Sequence, residues 1–148
     1  MKLKGLLLAL LVALVCSVAL GEADVEPTVG PEATPKPAKA YVLVTTATQS
    51  GWLPLPEDEE YSYPLRQILP DGTEALNVIH LTPEGVYMED STCANHDCID
   101  EGIVTLENRK ERILGNMIVC LPNQVLVQLF TPEEVLEMVQ REQATGNG

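Results

Sequence analysis

Three cysteines and one histidine carry the most specific chemistry in this sequence. Cys93 and Cys98 enclose His96 in the loop CANHDC, and Cys120 follows twenty-two positions after Cys98 in the segment IVCLPN. These residues are compatible with a disulfide that leaves one buried thiol over. They are also compatible with a redox pair whose third cysteine is the resolving thiol, and with a Cys3His zinc site.

The cysteine pairing stays open at this point. A Cys93–Cys98 bridge closes a short loop, whereas a bridge from either residue to Cys120 restrains a longer stretch of the unfolded chain. Nearby carboxylates are expected to raise the pKa of these thiols, which weakens the redox interpretation; they are Asp90, Asp97, Asp100 and Glu101. Three ligands within six residues would also require an unusually tight loop around a zinc ion, which weakens the metal interpretation. We therefore predict a structural disulfide and neither a metal nor a cofactor.

The rest of the sequence lacks a recognisable catalytic pattern. It has no nucleophile elbow, no phosphate-binding glycine loop and no paired acid and base. His80 lies in a predicted strand, where a single histidine is more often structural than a ligand. The acidic run at 56–60, PEDEE, lacks the spacing of a calcium-binding loop and is predicted to be a solvated surface. These observations predict a protein with no catalytic residues, not an enzyme.

The N-terminal segment resembles a secretory signal. Lys2 and Lys4 precede an apolar run from Leu6 to Leu20, and small residues follow it. We predict that residues 1–21 are a signal peptide cleaved after Gly21, and that the protein is secreted or extracytoplasmic. Two alternatives remain: a retained membrane anchor, which would be the only contact with a membrane, and lipidation at Cys16.

Composition limits the partners of the remaining chain. Residues 22–40 contain four prolines and no aromatic residue, which predicts a disordered, proline-rich linker. Without residues 1–21 the chain keeps 7 basic and 22 acidic residues, for a net charge near −15. Nucleic-acid binding depends on lysine and arginine at the phosphates, so this charge argues against a nucleic-acid partner and favours a basic one.

Residues 41–130 are predicted to form one all-β domain. Runs of β-branched and aromatic residues alternate with turn signals, and Thr82-Pro83-Glu84-Gly85 has the composition of a type I turn between two strands. Pro64 suggests that the strand around it lies at a sheet edge. Residues 131–148 are predicted to form a short helix and a loose tail. The helix begins with a capping box in which Thr131 is the N-cap and Glu134 the third helical residue.

The segment from Val78 to Leu129 resembles the NusG domain II family of exported bacterial proteins. The family pattern is a C-x4-C loop followed by glycine, and later a strand that ends in I-V-C-L-P-N. Its positions in this sequence are Cys93, Cys98, Gly102, Ile118, Val119, Cys120, Leu121, Pro122 and Asn123. The spacer ENRKERILGN is longer and more charged than the tight spacer of the family.

The resemblance covers roughly residues 41 to 130 and implies a fold and a class of function. The implied fold is a small closed or nearly closed β-barrel or sandwich. The implied function is an interaction or accessory module of the cell envelope, bound to an unknown envelope protein and without catalytic activity of its own. Thiol-redox or electron-transfer chemistry is the alternative, and a Cys3His metal site is the second alternative.

Overall fold

The computed structural model describes residues 37–145, which form eight strands and two α-helices. The strands are β1 (Tyr41–Thr45), β2 (Ser50–Pro54), β3 (Tyr61–Ile68), β4 (Glu74–Leu81), β5 (Gly85–Ser91), β6 (Val104–Thr105), β7 (Met117–Cys120) and β8 (Val125–Phe130). The helices are α1 (Asp97–Asp100) and α2 (Pro132–Thr145), and a 3-10 turn spans Asn108–Lys110. The predicted all-β domain with a C-terminal helix is therefore confirmed.

The strands form two antiparallel sheets of four strands each. The first sheet has the order β2-β1-β8-β7, and the second has the order β3-β4-β5-β6. Side chains alternate between buried and half-buried along the central strands, as expected when one face of each sheet covers a core. The fully buried core includes Val42 and Leu129 of the first sheet, and Ile79 and Leu81 of the second.

The two sheets do not join into a closed barrel within the described residues. On one side, Arg112 bridges them by donating from Nη1 to the Glu101 and Ile103 carbonyls and from Nη2 to the Met117 carbonyl. On the other side, the edge strands β2 and β3 are not paired with each other. Of the two expected forms, the closed barrel is not observed. Pro64 lies on the edge strand β3, as its sequence context predicted.

A bulge in β5 changes which side chains face the core. Val78 pairs with Asp90 and Ile79 pairs with Met88, so Glu89 is the extra residue on β5. A bulge shifts the inward and outward alternation by one position. Met88 is buried before the bulge and Ser91 is buried after it, so the bulge directs Ser91 into the core.

The C-terminal helix begins as the sequence predicted. Thr131 Oγ1 accepts a hydrogen bond from the Glu134 amide, and Glu134 Oε2 accepts one from the Thr131 amide at 2.8 Å, which is a capping box. Arg109 Nη1 also lies 2.6 Å from Glu134 Oε2 and ties the helix start to the 3-10 turn. The helix continues to Thr145, so it takes up most of the segment 131–148 that was predicted to be a short helix and a loose tail, and none of its residues is fully buried.

Several predictions concern residues outside the described part. The signal segment 1–21, most of the linker 22–40, lipidation at Cys16 and the last three residues of the tail fall there. Among residues 37–145, no helix has the length and hydropathy that a membrane span requires.

Candidate functional site

The three cysteines of the sequence pattern come together at one end of the core. Cys93 lies just after β5, Cys98 lies in α1, and Cys120 is the last residue of β7. Their Sγ atoms all lie within 4.8 Å of one another, and the Cys93 and Cys98 sulfurs are 3.7 Å apart. Each residue is at most 3% exposed. The long charged spacer before β7 therefore does not separate Cys120 from the other two.

Helix α1 brings Cys98 beside Cys120 through a contact with β7. The Glu101 carboxylate accepts a hydrogen bond from the Val119 amide at 3.0 Å, on the open edge of that strand. Gly102 then ends the helix with a positive φ of 68°, a conformation that glycine adopts without steric cost. The glycine of the sequence pattern thus lets the chain leave α1 and begin β6.

Ser91 connects the cysteines to the polar interior. Its Oγ accepts hydrogen bonds from Asn77 Nδ2 at 3.1 Å, from Asn123 Nδ2 at 3.3 Å and from the Cys93 amide at 3.2 Å. A hydroxyl has one proton to donate, and Cys120 Sγ lies 3.6 Å from this oxygen. Ser91 is therefore placed to donate its proton to sulfur.

Asn123 is the residue of the LPN segment that holds this end in place. It is 4% exposed, and its Nδ2 donates to Asn77 Oδ1 at 2.9 Å. Its carbonyl accepts a hydrogen bond from Gln67 Nε2. Since Asn123 lies between β7 and β8 while Asn77 and Gln67 belong to β4 and β3, one side chain links the two sheets. Leu121, by contrast, is 79% exposed, and Pro122 is exposed beside it in the same turn.

The surroundings of the cluster shift the pKa of Cys93 and the pKa of Cys98 in opposite directions. Burial opposes ionisation of Cys93, but hydrogen bonds from the Ser91 hydroxyl, the two other thiols and the His96 amide lower its pKa below the usual value. Burial, together with Cys120, raises the pKa of Cys98 to about 12. For Cys93 these hydrogen bonds outweigh burial, so its pKa is lowered, whereas the sequence led us to expect a raised value.

His96 does not join the three sulfurs. Its Nε2 lies 3.1 Å from the Ser91 carbonyl oxygen, and its backbone is left-handed with a φ of 56°. Among the described residues, the group of mutually close metal-binding atoms contains the three cysteines and no histidine. The Cys3His arrangement considered from the sequence is therefore not formed. The three cysteines are free thiols, so the disulfide and the redox chemistry stay predictions.

A cleft of about 230 Å³ adjoins the cysteines. Cys98 and Cys120 contribute to its wall, Asp97 and Glu101 line it from α1, and Leu121 and Pro122 line it from the turn after β7. This cleft gives a path from the surface to otherwise buried sulfur, and its carboxylates favour a cation over an anion.

A second polar constellation lies on the outer face of the second sheet, and sequence reasoning missed it. Ser62 Oγ lies 2.9 Å from His80 Nδ1, and His80 Nε2 lies 3.2 Å from Glu60 Oε2. The Ser62 hydroxyl donates to the Glu89 carboxylate, so its proton is not directed at the imidazole. The serine is therefore not activated by the histidine, and the histidine is held by its neighbours, as expected for a structural role.

Solved structures that are similar to this chain come from the bacteria Listeria innocua and Enterococcus faecalis. The crystal structure of the Lin0431 protein from Listeria innocua has 14% identity and a TM-score of 0.50, covering 63% of this chain and 97% of that one. Its solution NMR structure has 13% identity and a TM-score of 0.51, covering 66% and 77%. A DUF1312 family protein, EF3258 from Enterococcus faecalis V583, has 15% identity and a TM-score of 0.48, covering 63% and 98%.

The Listeria structures support the fold alone, since their identity to this chain is low. The comparison with curated proteins found no match. The sequence model described as NusG domain II matches residues 6–132, which is most of the chain and includes all three clustered cysteines. The chain belongs to the NusG domain II family.

Proposed function

We propose that this protein is an extracytoplasmic accessory module that binds an extended, basic segment of a partner protein along strand β2, without catalysing a reaction. The observation that carries the proposal is the unpaired outer edge of β2. The order of lysines, apolar run and small residues in the first twenty-one positions supports export.

The hydrogen-bond pattern of β2 identifies the backbone groups at this edge. The Leu55 amide donates to the Ala40 carbonyl, so hydrogen-bonded pairs with β1 recur at every second residue, including Leu53 and Gly51. Ser50, Trp52 and Pro54 therefore point their backbone groups away from β1. The Pro54 carbonyl already accepts the Tyr61 hydroxyl at 3.2 Å, which leaves Ser50 and Trp52 for a partner strand.

The surroundings of this edge suit an added peptide. A cleft of about 230 Å³ lies between the sheets at this side, with Ser50 and Trp52 on one wall and Tyr63 on the other. Trp52 and Tyr63 are 42% and 38% exposed. In strand addition, backbone hydrogen bonds provide affinity and adjacent side-chain pockets provide specificity.

The other sheet edges are less suited to strand addition. On β7 the Val119 amide is bonded to Glu101 and the Met117 carbonyl to Arg112. On β3, Pro64 removes an outward-facing amide near the middle of the strand. Strand β6 has only two residues. Edge β2 is thus the best candidate among the described strands.

Charge indicates the kind of partner. The loop that follows β2 contains consecutive acidic residues from Glu57 to Glu60, and the whole chain has a net charge of −13. Complementary charge speeds association and disfavours partners of like charge. A lysine- or arginine-bearing extended segment of an envelope protein therefore fits this edge.

Photo-crosslinking in the native host tests the proposal. A photoreactive amino acid replaces Trp52, and the same substitution at Ile113, which is fully exposed and distant in sequence, is the site control. We expect a discrete crosslinked product from position 52 that is absent from position 113. The strand-pairing contribution is then tested by Ser50→Pro, with Ser50→Ala as the matched control.

Ser50→Pro removes an amide that β1 does not use, so the fold is expected to persist while pairing with a partner strand is lost. The crosslinked product should therefore disappear with Ser50→Pro and remain with Ser50→Ala. A product that is equally strong in both variants would show that the contact does not involve strand addition.

A further inference from the structure

We propose that the reduced three-thiol cluster is a binding site for one soft monovalent metal cation, with Cu(I) as the ion that fits best. The ligands are the sulfurs of Cys93, Cys98 and Cys120. The inference is independent of the partner-binding edge at β2, which lies on other strands.

The sulfur positions match the size of a trigonal thiolate site. A metal–sulfur distance of about 2.3 Å places three sulfurs in a plane about 4 Å apart. The Cys93 and Cys98 sulfurs are 3.7 Å apart, and all three lie within 4.8 Å of one another. Shifts of well under an ångström would therefore bring the three into coordination.

The number and type of donors favour Cu(I) over zinc. Structural zinc sites are almost always four-coordinate, but the described residues bring only three ligand atoms together. His96, the nearest histidine in sequence, is hydrogen-bonded to the Ser91 carbonyl instead. Soft sulfur donors suit Cu(I), zinc and iron–sulfur clusters, and of these a closed-shell Cu(I) ion is the one that accepts three ligands in a plane.

The surroundings provide both an entry path and a second shell. The cleft that reaches Cys98 and Cys120 is also lined by Asp97 and Glu101, which attract a cation. The Ser91 hydroxyl beside Cys120 is fixed by Asn77 and Asn123 and can donate to a ligating thiolate. Each sulfur that binds the ion releases its proton to the solvent, so binding involves no oxidant.

Anaerobic titration of the full chain tests the site. The protein is reduced with a phosphine, and Cu(I) is supplied as its complex with bicinchoninate. We expect one Cu(I) ion per chain to be withdrawn from that chelator. X-ray absorption of the loaded protein should show three sulfur neighbours at about 2.3 Å.

Two sets of variants distinguish binding by these three sulfurs from binding that involves Cys16 or His96. Cys93→Ser, Cys98→Ser and Cys120→Ser should each weaken Cu(I) binding by about tenfold or more. Cys16→Ser and His96→Ala should leave stoichiometry and affinity unchanged. Near-UV circular dichroism reports whether each variant is folded, and if one is not, the sulfur count of the wild-type protein decides.

Three results would overturn the proposal: fewer than three sulfur neighbours, displacement of Cu(I) by one equivalent of Zn(II), or no Cu(I) retained while the thiols of Cys93, Cys98 and Cys120 all remain titratable.

Discussion

Asn123 Nδ2 donates a hydrogen bond to Asn77 Oδ1 at 2.9 Å, and both residues are buried. Asn77 lies on the inward face of β4, and Asn123 lies in the turn between β7 and β8, so this bond connects the two sheets. The same pair fixes Ser91 beside the cysteines. The geometry of the thiols therefore depends on a polar network and not only on apolar packing.

The first prediction concerns this pair. Asn123→Ala leaves Asn77 Oδ1 buried without its partner and should lower the free energy of unfolding by about 2 kcal/mol. Asn95→Ala, at an exposed position in the cysteine loop, should change it by less than about 0.5 kcal/mol. Urea denaturation measures both variants.

A double-mutant cycle with Asn77→Ala checks that the two asparagines act together. The double variant should lose less stability than the sum of the single ones, because removing both partners leaves fewer polar groups unsatisfied. Additive losses would show that the two side chains act independently.

The second prediction concerns the close approach of β5 and β6. A Cβ atom on Gly85 would lie 2.0 Å from the Val104 carbonyl oxygen, whereas one on Gly51 would meet no atom within 4 Å. Gly85→Ala should therefore lower the free energy of unfolding by about 3 kcal/mol. Gly51→Ala, also in a strand, should be neutral or slightly stabilising. Equal effects in thermal denaturation would argue against this packing of β6.

The third prediction concerns pH and the start of helix α2. The hydrogen bond from Arg109 lowers the pKa of the Glu134 carboxyl below its ordinary value of 4.5. A lowered folded-state pKa stabilises the protein above the unfolded-state value, and this contribution is lost as pH falls through the folded-state pKa. Because Glu134 is partly exposed, we expect a contribution of no more than about 1 kcal/mol.

Two variants separate charge from capping at this helix. Glu134→Gln should remove the dependence of helix content on pH below about 4.5 while keeping an acceptor for the Thr131 amide. Thr131→Ala should destabilise the helix by about 1 kcal/mol at every pH. Far-UV circular dichroism measures the helix content. Identical pH profiles for the wild type and Glu134→Gln would contradict the role of this carboxylate.

The fourth prediction concerns the bulge in β5. Deleting Glu89 removes the extra residue and makes Asp90 follow Met88 directly, so regular alternation should keep Asp90 outward and Ser91 facing the core. We expect the native fold to persist, and the cysteines to react with a thiol reagent far more slowly than in denatured protein. Glu89→Ala keeps the bulge and should change the free energy of unfolding by less than about 0.5 kcal/mol. Cysteines that react as fast in the deletion variant as in denatured protein would contradict this assignment of the extra residue.

Sequence patterns predicted the strands and the helix cap because both depend on local residue types. Alternating apolar residues such as Val42 and Val44 indicate a half-buried strand, and Thr131 with Glu134 indicates a cap. The bulge at Glu89 has no comparable local signal, so Ser91 was not recognised as part of the site. The sequence did contain a signal for Asn77, because this polar residue occupies an inward-facing position of β4 where an apolar residue is expected.

The meeting of the three thiols could not be derived from their spacing. It depends on the hydrogen bond between Glu101 and Val119 and on the seam bridged by Arg112, which join residues distant in sequence. The resemblance to the NusG domain II family singled out the three cysteines that the structure brings together, and Asn123 beside them. It did not indicate that His96 would be held apart from them.

Amide hydrogen exchange across β2 tests partner binding at this strand most directly. The exchange rate of each β2 amide is measured in the free protein and again in the complex that is isolated through the crosslink from position 52. We expect exchange of the amides at Ser50 and at position 52, which carries the photoreactive residue, to slow by about tenfold or more in the complex, and the Gly51 and Leu53 amides, already bonded to β1, to remain unchanged. Unchanged exchange at Ser50 and position 52, or equal slowing at all four residues, would contradict strand addition at β2.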